Sequence, residues 1–333
     1  MAGASLEPGE QVAATGGQGV RGLWRTASRK AQNRAVALVL GRENRFDYWQ
    51  RRGYHVLPVH FYHPTPDTRS LPAGLWDGSD HLVGVDLAVE DQLGLLESFR
   101  RRFAHEYRSF PATPEPGEAG FHLANGSFGP GDAEALYCMV RDLRPARIIE
   151  VGSGMSTLVI DRALAVNRAG GSPACSYTVI DPFPSDAARS VGSVTELRAQ
   201  PVQDVETAAF EALEAGDLLF IDSSHVVATG SDVVFEYLEV LPRLNPGVVV
   251  HAHDIFLPGE YPRSWVVDRH IFWTEQYLLA AFLTLNPSFR VLWAGRYLHR
   301  HHPETLTDAM PSLATLDPDD DGGPCSFWIT RDH

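Results

Sequence analysis

Four side chains in this sequence have the types and the placement to do chemistry. Asp222 and His225 close the segment Phe220-Ile221-Asp222-Ser223-Ser224-His225, and His253 and Asp254 close His251-Ala252-His253-Asp254-Ile255. Each pair follows a short apolar run, DLLFI at 217–221 and GVVV at 247–250. Short apolar runs of this kind read as buried strands, and parallel neighbours would bring their carboxyl ends to one edge. An imidazole titrating near neutral pH suits removal of a proton from an acceptor, and a carboxylate beside it suits holding the ring in one orientation. His225, His253 and Asp254 are therefore the candidate catalytic residues. A histidine that merely hydrogen-bonds the backbone is the competing reading for each ring.

The elements that must position these groups begin at residue 121. The spacing predicts a helix over 132–143, strands at 147–151, 177–180, 194–197, 217–221 and 247–250, and helices between them at about 156–167, 185–192, 205–215 and 231–243. A helix at 275–285 and strands at 289–293 and 326–330 follow. Apolar strands alternating with helices imply a doubly wound α/β domain with a mainly parallel sheet. Upstream, residues 1–22 are expected as a disordered tail, and residues 23–120 as a mostly helical, partly irregular N-terminal subdomain that shapes the substrate side. Within it, 23–52 and 87–107 read as helical, 54–86 as an irregular wrap and 111–120 as a linker.

The strongest local signal is the run Ile148-Ile149-Glu150-Val151-Gly152-Ser153-Gly154-Met155-Ser156-Thr157. Glycines directly after a buried strand and before a helix let the backbone bend and approach a ligand closely. A dinucleotide site asks for G-x-G-x-x-G, yet Thr157 stands where its third glycine belongs. The other reading is S-adenosylmethionine (SAM), with Glu150 organising the loop and the cofactor's ammonium group, and with Asp181, at the end of the second strand, accepting the ribose hydroxyls. NAD sites share that acid, so the preference for SAM comes from Glu150 and the missing glycine.

This pattern resembles motif I of the class I SAM-dependent methyltransferases, E/D-x-G-x-G, and the resemblance extends over residues 121–333. It implies a Rossmann-like sheet with an antiparallel final strand. It also implies a cofactor site drawn from Glu150, Gly152, Ser153, Gly154, Ser156, Thr157, Asp181 and Asp222. Phe121 to Asp132 is similar to the entry segment of a bacterial small-molecule subgroup, which implies Asn125 and Ser127 near the methionine end of the cofactor. Gln203-Asp204 matches the position that binds the adenine amino group. Ser156 departs from the many relatives that carry a third glycine there.

The strand-edge residues are similar in position to those of the divalent-metal-dependent catechol and caffeoyl-CoA type O-methyltransferases. Those enzymes have a metal-binding Asp after strand four, a general-base Lys three residues later, and an Asp-Asn pair after strand five. The corresponding residues are Asp222, His225 and His253-Asp254, so Asp222, His253 and Asp254 are the candidate metal ligands. Carboxylates suit Mg²⁺, whereas an imidazole ligand turns the choice toward Mn²⁺, Fe²⁺ or Zn²⁺. Histidines in place of Lys and Asp leave the metal-free His base as the alternative.

The expected function is transfer of a methyl group to a hydroxyl of a small molecule in specialised metabolism. N- or C-methylation, a repurposed SAM fold and a non-catalytic SAM-binding protein are the alternatives. With 28 Lys+Arg against 42 Asp+Glu the chain has a net charge of −14 and lacks the cationic balance that nucleic acid or an anionic membrane would attract. Three distant cysteines form no CxxC zinc pattern, and no basic leader or long apolar stretch occurs, so a cytoplasmic protein is expected. Self-association is left open. Aromatics between 256 and 277 are read as lid or core, His60-Phe61-Tyr62-His63 as a candidate pocket wall, and the runs at 299–302 and 317–321 as polar loops.

Overall fold

The computed structural model describes residues 46–78, 82–114, 120–317 and 322–332. The expected tail at 1–22, and residues 23–45 of the expected first helix, lie outside them. The chain divides into two compact units, Met1–Asp67 and Thr68–His333. In the smaller one, the short helix Phe46–Gln50 leads into extended chain, and Phe61 and Tyr62 are exposed.

The larger unit is built on seven strands: β1 (Arg147–Val151), β2 (Ser176–Ile180), β3 (Glu196–Arg198), β4 (Leu218–Ile221), β5 (Val249–Ala252), β6 (Phe289–Ala294) and β7 (Phe327–Arg331), in the order β3-β2-β1-β4-β5-β7-β6. The first five are mutually parallel, and β7 runs antiparallel to both β5 and β6. The strand order reverses between β1 and β4, so the crevice for a ligand lies beyond their carboxyl ends.

Period-two alternation sorts each strand between two layers of core. Ile148, Tyr177, Val179, Leu218 and Phe220 pack under the helices Val89–Tyr107, Asp132–Leu143 and Met155–Ala169. Ile149, Val151, Ile180, Leu219, Ile221 and Val250 face the other layer, with Phe210, Tyr237, Val240 and Leu279. The helix Val89–Tyr107 buries Leu96, Phe99, Phe103 and Tyr107 in that first layer beside Trp293 and Trp328. Packing therefore divides the chain at Asp67/Thr68, upstream of the boundary drawn at 121 from the motifs.

Some elements differ from expectation. The helix expected over 205–215 is a single turn, Ala208–Glu211. The helix expected over 231–243 changes pitch twice, through a wide turn at Glu236–Val240 and a tight one at Leu241–Arg243 that carries Pro242. Residues 299–302, expected as a polar loop, belong largely to the helix Gly295–His301, where Leu298 is buried and the Tyr297 and His301 rings stack one turn apart at 4.5 Å. Among the described residues no helix is long and apolar enough to cross a membrane.

Candidate active site

The turn after β1 is tied to both neighbouring strands. Gly152 donates its N–H to Ile180 O at 3.0 Å, and Asp222 N donates to Val151 O at 2.9 Å. Gly152 has φ +83°, and a Cβ there would collide with the carbonyl oxygen of Asp222. Only glycine lets the two strand ends approach this closely. Ser153 Oγ donates to Asp181 Oδ2 at 2.6 Å and accepts from Ser185 N at 2.9 Å, which joins the β1 and β2 turns across the mouth of the crevice. Asp181 Oδ1 also accepts the amide of Phe183, whose ring is 89% exposed. Asp204 is exposed at the end of the turn Val202–Asp204 after β3, which Val202 anchors in the core.

Glu150, Ser156 and Thr157 stand apart from the crevice. Alternation along β1 turns Glu150 into the layer beneath the helix Met155–Ala169. There its carboxyl group is fully buried and accepts from Tyr177 Oη, from Ser156 Oγ at 2.7 Å and from Thr157 Oγ1 at 2.9 Å. Burial raises its pKa to about 7 against these hydrogen bonds. Glu150 thus braces the loop from within, and the contact to the cofactor's ammonium expected from its motif position is replaced by three hydroxyls. Asn125 is likewise spent on its own turn: Nδ2 donates to His122 O and Phe128 O, and Oδ1 accepts from Ser127 N, Ser127 Oγ and Phe128 N.

Beyond β4 and β5 the four chemical residues do meet. His225 Nε2 lies 3.3 Å from Asp222 Oδ1 and 3.4 Å from Asp254 Oδ2, and His253 Nδ1 lies 3.6 Å from the same two oxygens. Both histidines are buried, whereas the Asp222 side chain is 30% exposed and opens the cluster toward solvent. His225 (φ 61°) and Asp254 (φ 56°) hold left-handed backbone conformations without being glycine. Each such residue costs about 1–2 kcal/mol.

The far nitrogen of each imidazole meets a second carboxylate. His225 Nδ1 is 2.8 Å from Glu275 Oε2, and Glu275 also accepts from Tyr237 Oη at 2.8 Å. The loop is strapped to the start of the helix Glu275–Leu283, because His225 O accepts from Thr274 N and Glu275 N, while the Trp273 ring packs on the imidazole at 4.3 Å. His253 Nε2 is 3.6 Å from Asp132 Oδ2 and 3.6 Å from Cys325 Sγ. Asp132 is itself fixed by the amides of Cys325 and Ser326.

Burial opposes charge on His225, His253, Asp222 and Asp132, and on these four the partners prevail. Burial pulls the His225 imidazole down, yet the hydrogen bonds to Asp222 and Glu275 and the charges of Glu275 and Asp254 raise it to about 10. His253 is also raised, because Cys325, Asp254, Asp222 and Asp132 outweigh its burial. Burial pushes the Asp222 carboxyl up, and the charge of His253 with hydrogen bonds from both imidazoles overcomes it and holds the group below the ordinary carboxylate range. Asp132 is lowered as well: burial is outweighed by the hydrogen bond and charge of His253 and by the Cys325 amide.

The sequence places Asp132 at the start of a helix and singles out none of Asp132, Glu275 or Cys325 for chemistry. Their partners lie 50 to 121 positions away in the chain, so no spacing pattern links them. Among the aromatics read as lid or core, Phe256 and Tyr261 are buried core, whereas Tyr277 is exposed.

A family model described as a methyltransferase domain matches residues 149–255, which run from β1 through Asp254. An uncharacterized protein of Archaeoglobus fulgidus is 34% identical over 167 residues, covering 47% of this chain and 73% of that protein. Among solved structures, the CmcI-N160 apo-structure shares 14% identity over 62% of this chain and 72% of its own, with a TM-score of 0.34. With the motif after β1, the reversal of strand order beside it and the matched domain all falling on the same residues, the chain belongs to the class I SAM-dependent methyltransferases.

Proposed function

We propose that this methyltransferase acts on a hydroxyl oxygen of a small molecule, with a divalent cation held by Asp222, His225, His253 and Asp254. One observation carries the reading: two imidazoles turn their near nitrogens toward the same two carboxylate oxygens, while a buried carboxylate, Glu275 or Asp132, occupies each far nitrogen. Paired carboxylates behind histidines are the usual support of metal-ligating rings, since they fix the tautomer and sharpen the ring as a donor. Separations of 3.3–3.6 Å are those of neighbouring donors around a first-row dication bound at about 2.0–2.2 Å. Two imidazoles in the donor set favour Mn²⁺, Fe²⁺ or Zn²⁺ over Mg²⁺.

A bound dication would lower the pKa of an acceptor hydroxyl and fix its oxygen, as an in-line displacement at a sulfonium requires. On the cofactor side, Gly152 and Gly154 admit the ligand to the backbone, Ser153 and Asp181 are the residues for the ribose hydroxyls, and Phe183 and Asp204 are those for the adenine. Glu150, Ser156 and Thr157 hold the loop in shape, and Asn125 holds the turn that precedes Phe128. The metal-free alternative, with His225 or His253 as base, is less well supported, because an imidazolium raised as these are keeps its proton at neutral pH.

The test is metal analysis of the purified protein, then EDTA treatment and restoration with Mn²⁺, Zn²⁺ or Mg²⁺ while S-adenosylhomocysteine release is followed over a panel of hydroxyl acceptors. Bound metal and EDTA-sensitive turnover are expected. Turnover indifferent to EDTA, in protein free of metal, would return the His base to first place.

A further inference from the structure

A cavity of about 280 Å³ lies among Trp76, Phe256, Gly259, Arg263, Arg296 and Arg300, away from the imidazoles. We propose that it is a binding site for a phosphate or diphosphate ester, which, taken with the function proposed above, belongs to the methyl acceptor. Three guanidinium groups on one pocket are a local reversal of sign in a chain of net charge −14. The lining includes one carboxylate, Glu260, and that group accepts the Tyr277 hydroxyl at 2.5 Å. Among the described residues, no carboxylate forms an ion pair with Arg263 or Arg300.

Arg263 directly precedes the turn Ser264–Asp268, whereas Arg296 and Arg300 lie one turn apart on the helix Gly295–His301, and contacts other than carboxylates hold Arg263 and Arg300. The Arg263 guanidinium sits 5.9 Å from the centre of the Trp76 ring, and Trp76 Nε1 is pinned to Tyr261 O at 2.9 Å. Arg300 Nη2 donates to Asp77 O at 3.2 Å and passes over Gly78, where a Cβ would collide with the guanidinium. Arg296 lies 5.7 Å from the Phe256 ring and donates to Gly322 O. Guanidinium groups held in this way lose little freedom on binding, and their planar forks match the paired oxygens of a phosphate. The positive charges of Arg263 and Arg300, with Arg296 beside them, suit a phosphate or diphosphate better than a single carboxylate.

The site also lies close to the proposed chemistry. Phe256 follows Asp254 by two residues and packs with Cys325, whose Sγ is 3.4 Å from Asp254 Oδ1. One layer of side chains therefore separates the cavity wall from the imidazole–carboxylate cluster.

The test uses the full chain stripped of metal with EDTA, so that no ligand can bind through a cation. Calorimetry with inorganic pyrophosphate and with acetate is run on the wild type and on Arg263→Ala/Arg300→Ala, with SAM titrated into each in parallel. Saturable pyrophosphate binding is expected, weakening as salt is added, with acetate much weaker and the double variant at least about tenfold weaker at unchanged SAM affinity. Equal pyrophosphate affinity in the two proteins, no binding to a wild type that still binds SAM, or acetate binding as tightly as pyrophosphate would overturn the proposal. A wild type that binds pyrophosphate but not SAM would instead overturn the function proposed above and leave an anion site without a methyl acceptor.

Discussion

Glu275→Gln isolates the support behind His225 without changing the shape of the residue. Glu275 is wholly buried and receives His225 Nδ1 and the Tyr237 hydroxyl, each at 2.8 Å. An amide keeps a carbonyl for one of these partners but presents an NH₂ to the other, and it removes the charge that draws the His225 Nδ1 proton. The ring then loses its fixed tautomer and part of its strength as a donor through Nε2. Carboxylates behind ligating histidines typically contribute 10- to 100-fold in metal affinity, or about 1.4–2.7 kcal/mol. The assay is competition of Mn²⁺ or Zn²⁺ between the protein and a chromophoric chelator at fixed pH, with SAM affinity and the thermal melt as controls on folding. A 10- to 100-fold weaker metal constant with SAM affinity retained is the expected result. A folded variant that binds metal within about twofold of the wild type would refute the role given to Glu275 and weaken the case for a metal centre.

Phe183→Ala should weaken SAM binding about 3- to 10-fold in calorimetry, because the exposed ring beside Asp181 is available to cover the adenine. Gly152→Ala should cost about 2–4 kcal/mol in urea denaturation and abolish SAM binding, since a methyl group at φ +83° would drive the β1 turn away from Asp222. Glu150→Gln should change how stability depends on pH. The folded pKa of Glu150 is raised from 4.5 to about 7, so its contribution is present below pH 4.5 and is lost as pH rises through about 7. The variant should therefore gain on the wild type between pH 5 and pH 8 by up to about 3 kcal/mol, read from urea midpoints at both values, and a gap independent of pH would refute the assignment.

Much of the fold was legible because its signals are local. RIIEV, DLLFI and GVVV are apolar runs that a sheet covered on both faces demands, and the glycines after β1 mark a turn that only they can make. The meeting of Asp222, His225, His253 and Asp254 followed from the same premise, because adjacent parallel strands end at one edge. Glu150 was misread in its direction because motif position was given more weight than alternation along β1. Ile148 and Glu150 share a face, and that face is roofed by a helix. Asp132, Glu275 and Cys325 were out of reach for a different reason: they come from two helix starts and the entrance to β7, and only the tertiary fold carries them to the imidazoles.

The cluster is an expensive arrangement to keep, and that bears on what it is for. Two residues hold left-handed backbones, and four carboxylates, Asp132, Asp222, Asp254 and Glu275, surround two imidazoles with little access to solvent. With both rings protonated the group carries a charge of four minus two, that is −2. With both rings neutral and one dication bound, the sum is again −2. A metal ion can therefore replace two protons without changing the field that the surrounding sheet and helices have to tolerate, which explains how one set of side chains can be stable in both states. A lone general base would need one ring with a pKa near neutrality and one carboxylate to orient it. The doubled arrangement here, with both rings braced from behind and raised together, is matched to holding a charge between them.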